Sequence, residues 1–231
     1  MHSGYFITGT DTGCGKTLVT LGLMWRLQAS GYSVLGMKPV ASGCERRAEG
    51  LRNEDALRIQ RQGSRRLPYE EINPFAFEPP IAPHLAAADA GVGIDIASIG
   101  AGYRRLAEQA DRVLVEGVGG WHVPLSERQM LQQLVVALNL PVILVVGLRL
   151  GCINHALLTC DAIVAAGCQL AGWVANRTDP QMTAVEGNLQ TLRDRIGAPL
   201  LGVVPYMLEP DIRRLAVALD PAPLERLPEG G

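Results

Sequence analysis

A glycine-rich stretch near the start of the chain carries side chains suited to binding phosphate. Residues 9–17 read Gly-Thr-Asp-Thr-Gly-Cys-Gly-Lys-Thr and separate an apolar run from a stretch with the spacing of an amphipathic helix. Glycines allow backbone N–H groups to surround phosphate oxygens, and the N-terminus of a helix adds partial positive charge. We expect Lys16 to neutralise the β- and γ-phosphates of a nucleotide, and the Thr17 hydroxyl to ligate Mg²⁺.

The spacing of this stretch differs from the usual phosphate-binding loop. Five residues separate Gly9 from Gly15, whereas the usual loop has four at this place. The alternative interpretation is a glycine-rich turn that only connects a strand to a helix. Because Gly-Lys-Thr lies where the strand meets the helix, as the motif requires, phosphate binding is favoured.

Charged side chains further along the chain are candidates for chemistry on a bound phosphate. Glu116 closes the apolar run 113–115, where nucleotide hydrolases keep an acid that binds Mg²⁺ or positions water; the alternative is a salt bridge to a surface lysine. Lys38 precedes Pro39 and a loop of small residues, and it either stabilises charge during phosphoryl transfer or is simply solvated. Asp55 alone is best explained as a first-turn acid that complements a helix dipole.

The segment 176–179 follows another apolar run and is a candidate for contacting the base of a nucleotide. An asparagine amide can pair with a purine edge, and Asn-Arg-Thr-Asp partly matches the Asn-Lys-x-Asp motif by which GTPases read guanine. Asp179 is alternatively a cap for the next helix, so ATP is the expected nucleotide and GTP the alternative. The four histidines show no metal spacing. His84 and His122 are placed to touch a substrate, but ordinary polar roles are favoured.

The elements that position these residues follow from the alternation of apolar runs with amphipathic stretches. We expect strands at 5–8, 32–37, 112–116, 141–146, 170–175 and 199–204. We expect helices at 18–27, 54–62, 83–90, 96–109, 125–138, 152–166 and 183–196, a polar loop at 41–52 and a largely irregular stretch at 68–83. This order predicts an α/β fold, a parallel β-sheet with helices on both faces like that of P-loop NTPases, in one domain over residues 1–231. In such sheets ligands bind at the carboxyl ends of the strands, where the candidate residues lie.

The composition argues against several classes of partner. A net charge of −2 provides no field to attract nucleic acid or an anionic membrane. No signal peptide is recognisable, and the longest apolar run, 140–148, is shorter than a membrane span. The five cysteines are odd in number and include no Cys-x-x-Cys pair, which indicates a reducing compartment without a disulfide framework or zinc site. We therefore expect a cytoplasmic protein.

Several blocks of the sequence together resemble the dethiobiotin synthetase family, in family order and up to about Pro205. They are residues 5–17, 36–43, 50–56, 115–121, 140–155 and 170–176. The longer phosphate-binding loop is itself a feature of that family. A partition or positioning ATPase is disfavoured because Asp11 stands where such proteins carry a second lysine. An amide-forming synthetase with a glutamine-hydrolysing domain would need a longer chain.

The resemblance implies a reaction and its site residues. CO₂ adds to an amine of 7,8-diaminononanoate to give a carbamate, ATP phosphorylates the carbamate, and the second amine closes the cyclic urea with loss of phosphate. Lys16 and Lys38 are implied to hold the transferring phosphoryl group and the carbamate. The implied Mg²⁺ ligands are Thr17, Asp55 and Glu116, and the implied contacts to the diamine or carbamate are Thr12 and Ser42.

The resemblance also implies nucleotide contacts and a homodimer. Asn176 and 205–207 are implied to contact adenine, and the full implied nucleotide site adds further residues to Lys16, Thr17, Asp55 and Glu116. These are Gly13, Cys14, Gly15, Leu18, Gly117, Val118, Gly119, Asn176, Arg177, Pro205, Tyr206 and Met207. A helix that begins at Gly151, Cys152, Ile153 and Asn154 would present its N-terminal amides to the substrate carboxylate in the neighbouring subunit's site. Family members offer this carboxylate a tyrosine near Asn188, and this chain has none there.

Overall fold

Parallel strands form the central sheet of the computed structural model, which describes residues 4–225. Within that range six strands pair side by side. Their order is β10 (Leu200–Val204), β9 (Leu170–Arg177), β8 (Val142–Leu148), β1 (Gly4–Gly9), β7 (Arg112–Glu116) and β2 (Val34–Met37). All neighbouring pairs are parallel. β1, β2 and β8 are buried along their whole length, as strands covered on both faces must be.

Helices cover both faces of this sheet. They are α1 (Lys16–Ala29), α2 (Glu54–Gln62), α3 (Tyr69–Ile72), α4 (Pro83–Asp89), α5 (Ile96–Ala107), α6 (Leu131–Leu138), α7 (Cys152–Ala165), α8 (Val185–Arg195), α9 (Ile212–Val217) and α10 (Ala222–Glu225). Successive side chains of β1 enter different layers: Phe6 packs in a cluster with Leu134 of α6, whereas Ile7 packs in one with Leu23 of α1. A third cluster joins β8 and β9 to α7 and α8. The predicted fold class is confirmed.

None of the helices within residues 4–225 has both the length and the apolar character needed to cross a membrane.

The region between β2 and α4 contains more regular structure than the sequence predicts. The stretch 41–52 holds part of β3 (Val40–Ala41) and an antiparallel hairpin of β4 (Glu45–Arg47) and β5 (Gly50–Arg52). β3 pairs in parallel with β6 (Phe75–Ala76), which follows α3 in the stretch 68–83. The prediction of a simple polar loop at 41–52 is wrong, because short exposed strands are stabilised by pairing rather than by an apolar pattern.

α6 begins later than the sequence predicts. The Leu125 N–H donates to the Gln129 carbonyl at 2.8 Å, and the Ser126 hydroxyl accepts a hydrogen bond from the Gln129 N–H at 3.1 Å. Gln133 then accepts the Met130 N–H at 2.7 Å and caps the helix where it starts. The predicted start at residue 125 is wrong, since local side-chain bonds there favour a turn over a helix.

The register of the strands brings the candidate residues to one edge of the sheet. Ile7 pairs with Glu116, so the end of β7 lies beside the glycine-rich loop that follows β1. Met37 pairs with Val115, which puts Lys38 next to Glu116. This edge, formed by the carboxyl ends of the strands, is where the site is assembled.

Candidate active site

The glycine-rich loop between β1 and α1 is held by its own backbone and by β9. Gly15 precedes α1 with a φ of 93°, a left-handed conformation in which a side chain is strained. The side-chain amide of Asn176 donates to the Cys14 carbonyl at 2.8 Å, and a Cβ on Gly15 would collide with that amide. The loop therefore lies on the carboxyl end of β9 with little space between them.

Lys16, the first residue of α1, joins two loops at the mouth of the site. Its ammonium donates to the Asp11 carbonyl at 3.0 Å and to the Gly119 carbonyl at 2.6 Å. Gly119 belongs to the loop that follows β7, so the lysine spans from the glycine-rich loop to the neighbouring strand end. A bound phosphate would replace these neutral acceptors with charged oxygens, which form stronger hydrogen bonds with an ammonium.

Glu116 is the centre of a buried polar cluster. Its side chain is 1% exposed, and its Oε1 accepts hydrogen bonds from the Thr17 hydroxyl at 2.8 Å and from the Lys38 ammonium at 2.5 Å. Asp55 of α2 completes the cluster, with its Oδ2 3.8 Å from Lys38 Nζ. Thr17 and Lys38 thus meet at one carboxylate, and Asp55 joins the cluster through Lys38.

The charges of this cluster decide the protonation of Lys38. Burial by itself disfavours the ammonium and lowers its pKa, but the attraction of the Glu116 and Asp55 carboxylates outweighs burial. The net result is a pKa of Lys38 above its ordinary value of 10.5. The side chain is therefore a fixed cation at neutral pH, able to stabilise anionic oxygens but not to accept a proton.

The oxygens of Thr17, Asp55 and Glu116 fit a magnesium ion. Glu116 Oε2 is buried and has no hydrogen-bond partner among residues 4–225, which leaves a carboxylate oxygen available as a ligand. Magnesium prefers oxygen ligands, keeps several waters and takes the rest from substrate phosphates. A few protein oxygens therefore suffice. Within the described range no group of three or more His, Cys, Asp or Glu side chains is placed to hold a metal.

A cleft of about 800 Å³ opens over this cluster. Most of the residues implied for the phosphates, the metal and the diamine line it together. They are Thr12, Gly13, Gly15, Lys16, Thr17, Leu18, Lys38, Ser42, Asp55, Glu116, Val118 and Gly119. The volume lies within the usual range for small-molecule sites, and the lining brings three cationic side chains and three carboxylates to one place.

The other implied residues lie outside the lining of this cleft. Gly117 and Cys14 belong to the loops that border it, and Asn176 is buried beneath the glycine-rich loop. Arg177 follows on β9 and donates to the Pro180 carbonyl, while 205–207 follow the end of β10. The start of α7, residues 151–154, is also outside the lining, so the cleft of one chain does not include that helix N-terminus.

The cleft also contains residues that the sequence did not single out. Arg58 lies one turn after Asp55 on α2, and the segment 80–83, which includes Pro80 and Pro83, closes one side. His122, considered as a possible substrate contact, does line the cleft, whereas His84 does not appear in its lining. Arg58 could have been found from its position three residues after Asp55, because side chains at this spacing share one face of a helix.

The chain resembles known proteins both in fold and in sequence. A family model described as an AAA domain matches residues 3–211. Among solved structures, the MinC:MinD cell division complex of Aquifex aeolicus matches with a TM-score of 0.57 at 18% identity, covering 96% of this chain and 88% of that chain. The signal recognition particle receptor FtsY of Elizabethkingia anophelis matches with a TM-score of 0.52 at 15% identity, covering 93% of this chain and 64% of that chain. These likenesses show the P-loop NTPase-like fold.

Sequence relatives are much closer. The ATP-dependent dethiobiotin synthetase BioD of Pseudomonas paraeruginosa is 52% identical over 221 residues, which cover 95% of this chain and 97% of the relative. The enzyme of the same name from Xanthomonas oryzae pv. oryzae is 50% identical over 214 residues, which cover 93% and 95%. Identity of this size along nearly the whole of both chains means that the protein belongs to the ATP-dependent dethiobiotin synthetase family.

Proposed function

We propose that this protein converts 7,8-diaminononanoate, CO₂ and ATP into dethiobiotin, ADP and phosphate. The observation that carries the proposal is the Glu116 cluster, in which a carboxylate, a hydroxyl and a lysine that is charged at neutral pH meet in the lining of the cleft. The proposed substrates are those implied by membership of the dethiobiotin synthetase family. The buried charges supply a place where a phosphoryl group and a second anion can be held side by side.

The proposed reaction has three steps. One amine of the diamine attacks CO₂ and loses a proton, which forms a carbamate. A carbamate oxygen attacks the γ-phosphorus of ATP, ADP leaves, and a carbamic–phosphoric anhydride results. The second amine then attacks the carbonyl carbon and loses a proton, and phosphate departs as the cyclic urea closes.

The two lysines divide the developing negative charge between them. Lys16 exchanges its carbonyl partners for the β- and γ-phosphate oxygens, since these are charged. Lys38 turns from Glu116 toward the carbamate and the transferring phosphoryl group, where its ammonium offsets charge on both. The contribution of both lysines is electrostatic and positional.

Magnesium is part of the proposal. Thr17, Asp55 and Glu116 would hold the ion, which when bound neutralises phosphate charge. Glu116 would contribute its unpartnered carboxylate oxygen to this site, while Lys38 would offer its ammonium to the carbamate.

The second substrate is proposed to lie between Thr12 and Ser42. Both residues line the cleft, on the glycine-rich loop and on the loop after β3 respectively. Their hydroxyl groups can accept hydrogen bonds from amines and donate to carbamate oxygens. The segment 80–83 forms the wall beside Ser42 and helps to keep water from the reactive anhydride.

Asn176, Arg177 and 205–207 are proposed to contact the nucleotide base, with ATP as the substrate. The Nδ2 of Asn176 donates one of its two N–H groups to the Cys14 carbonyl, which leaves the second N–H and the oxygen Oδ1 for a base. An acceptor oxygen pairs with the exocyclic amino group of adenine and opposes the carbonyl of guanine. ATP is proposed over GTP because the relatives carry the name ATP-dependent dethiobiotin synthetase, and Oδ1 of Asn176 is the group proposed to meet the adenine amino group.

A homodimer is proposed, with the substrate carboxylate bound across the interface. Residues 151–154 form a helix N-terminus outside the cleft of their own chain, where they can serve a neighbouring chain. The same helix exposes Leu158, and Leu150 lies exposed just before the helix; both are apolar side chains that favour contact with another surface. All five cysteines are free thiols, which supports the proposed cytoplasmic location.

The direct test is a product assay by mass spectrometry with the diamine, bicarbonate and MgATP. Dethiobiotin and ADP are expected in equal amounts, and omission of the diamine should stop ADP formation. The assignment fails if ATP turnover is unaffected by the diamine and no dethiobiotin forms. Replacing ATP by GTP should lower kcat/KM strongly, and equal use of both nucleotides would remove the proposed role of Asn176 Oδ1.

A further inference from the structure

A buried tyrosine hydroxyl lies behind the cluster and plays no part in the proposed chemistry. Tyr69 belongs to α3 and is 5% exposed. Its hydroxyl accepts a hydrogen bond from the Asn53 N–H at 2.7 Å and donates one to Asn73 Oδ1 at 2.8 Å. Burial raises the pKa of Tyr69, which keeps the hydroxyl protonated and able to donate at neutral pH.

Asn73 passes this contact on to the backbone of Lys38. The side chain of Asn73 is almost completely buried, and its Nδ2 donates to the Lys38 carbonyl at 2.7 Å. The Lys38 N–H donates to the Ile72 carbonyl at 2.8 Å. Both backbone polar groups of Lys38 are therefore fixed by the turn of α3 and the residue that follows it.

Asn53 passes the contact on in the other direction, to Asp55. Its side-chain oxygen accepts the Ala56 N–H at 3.1 Å and caps α2, so Asp55 lies in the first turn of that helix. The hydrogen-bonded series from Asn53 through Tyr69 and Asn73 to Lys38 thus connects two elements whose side chains approach to 3.8 Å in the cluster. The start of α2 and the residue that follows β2 are therefore linked through the Tyr69 hydroxyl.

The tyrosine ring is itself held in place. The Arg52 guanidinium lies over the ring, 4.2 Å from its centroid, and also forms an ion pair with Glu70 at 3.1 Å. The hydroxyl is therefore carried by a ring with little freedom to move. A rigid ring keeps the groups that are hydrogen-bonded to its hydroxyl in place. This matters at an active site, because small errors in the placement of reacting groups lower the rate.

We propose that Tyr69 and Asn73 are positioning residues that set the separation of Asp55 from Lys38. The inference rests on the proposed function, in which Asp55 holds magnesium and Lys38 contacts the carbamate. Loss of the hydroxyl leaves the Asn53 N–H and Asn73 Oδ1 without their buried partner, and the first turn of α2 is then free to shift away from Lys38. Neither residue touches the substrates.

The test is the variant Tyr69→Phe, which keeps the ring and removes only the hydroxyl. At saturating MgATP and diamine we expect kcat to fall about tenfold, equivalent to ~1.4 kcal/mol, while the KM for MgATP rises no more than the loss of metal affinity requires. Electron paramagnetic resonance with Mn²⁺ and a non-hydrolysable ATP analogue should show a several-fold weaker Mn²⁺ affinity. In an Asp55→Asn background, Tyr69→Phe should lower Mn²⁺ affinity no further, since it acts through Asp55.

Tyr32→Phe is a matched control. Tyr32 also has a guanidinium over its ring, that of Arg112 at 4.7 Å from the centroid. Tyr32, however, lies before the amino end of β2, whereas the site lies at the carboxyl ends of the strands. It should change neither kcat nor Mn²⁺ affinity. The inference is overturned if Tyr69→Phe leaves kcat and Mn²⁺ affinity at their wild-type values, or if kcat falls while Mn²⁺ affinity is unchanged. If wild-type protein forms no dethiobiotin, the proposed function fails, and the Mn²⁺ measurement still decides whether Tyr69 positions Asp55.

Discussion

At the scale of single residues, Lys38 and Glu116 form an ion pair in which both charges are buried. The desolvation of such a pair offsets much of its attraction, yet removal of one partner leaves a charge that costs roughly 3–5 kcal/mol. The pair is therefore poorly explained by stability alone. The proposed function explains it as a resting arrangement, in which Lys38 would leave Glu116 when the phosphate and the carbamate bind.

Replacement Lys38→Ala should abolish product formation while the protein stays folded. We expect dethiobiotin formation to fall at least ~100-fold, the usual cost of losing a charge-stabilising group. The free energy of unfolding should fall by about 3 kcal/mol, because Glu116 keeps a buried charge without its partner. Mass spectrometry measures the first and urea denaturation the second.

The double variant Lys38→Ala/Glu116→Gln separates the two effects. It removes the unpaired charge, so it should recover part of the lost stability but none of the activity. A near wild-type rate in Lys38→Ala would remove Lys38 from the mechanism.

The raised pKa of Lys38 predicts how this stability depends on pH. A cation whose pKa is higher in the folded than in the unfolded state stabilises the protein fully below the unfolded value, here 10.5, and loses that effect as pH rises through the folded value. The difference in unfolding free energy between wild type and Lys38→Ala should thus stay constant from neutral pH to about pH 10 and shrink above it. Shrinkage already between about pH 7 and 9 would contradict the cationic assignment.

A site residue can be identified from the sequence when its neighbours along the chain already indicate its role. Lys16 and Thr17 follow a glycine-rich motif, and Glu116 closes an apolar strand, so each is recognisable without the fold. Asp55 is different, because an acid in the first turn of a helix is common and only its meeting with Lys38 gives it meaning. Tyr69 carries no local signal, since its hydroxyl matters only through partners from other elements.

At the scale of elements, the predicted alternation of strands and helices holds where the apolar pattern is long. α2 has the predicted bounds because Asn53 caps it and Gly63 follows it. The short strands β3 to β6 were not predicted, because two or three residues carry too little pattern to distinguish a strand from a loop. The segment after β10 also forms a helix, α9, whose Leu215 packs beside Gly22 of α1.

The two glycines that flank α1 provide a test of the glycine-rich loop. Gly15 and Gly31 have nearly equal φ angles of 93° and 94°, so an alanine is strained by a similar amount at either place, roughly 1 kcal/mol. A Cβ at Gly15 would also displace the Asn176 amide, whereas no heavy atom of the described residues outside its immediate neighbours lies within 4 Å of a Cβ at Gly31. By calorimetry with a non-hydrolysable ATP analogue, Gly15→Ala should lose more than about tenfold in affinity and Gly31→Ala almost none. Equal losses would mean that the contact with Asn176 is unimportant.

At the scale of the whole molecule, α7 offers a surface that the single chain leaves open. Its exposed stripe runs through Asn154, Leu158, Asp161 and Ala165, at helical spacing. The stripe begins beside the helix N-terminus that is proposed to reach a neighbouring site. An interface there would explain why 151–154 are absent from the lining of their own cleft.

The variant Leu158→Glu tests the proposed dimer. Leu158 is 61% exposed and adjacent on the stripe to Asp161, so a second carboxylate brings like charges together in any interface formed there. We expect a shift from dimer to monomer in sedimentation velocity and a raised KM for the diamine. Val217→Glu, on the 76% exposed Val217 of α9, is the control and should leave the dimer intact. A Leu158→Glu protein that remains dimeric would move the interface away from α7.

The burial of Lys16 and Lys38 has a consequence for chemical modification. They are the only two lysines of the sequence, every other basic residue among the 21 being arginine, and they are 8% and 6% exposed. The outer surface therefore presents no lysine amine to acylating reagents. Small amine-reactive esters should label the folded protein at the α-amino group and, more slowly, at the two site lysines, and MgATP should protect the latter. Peptide mapping would then report nucleotide occupancy without a background of surface labelling.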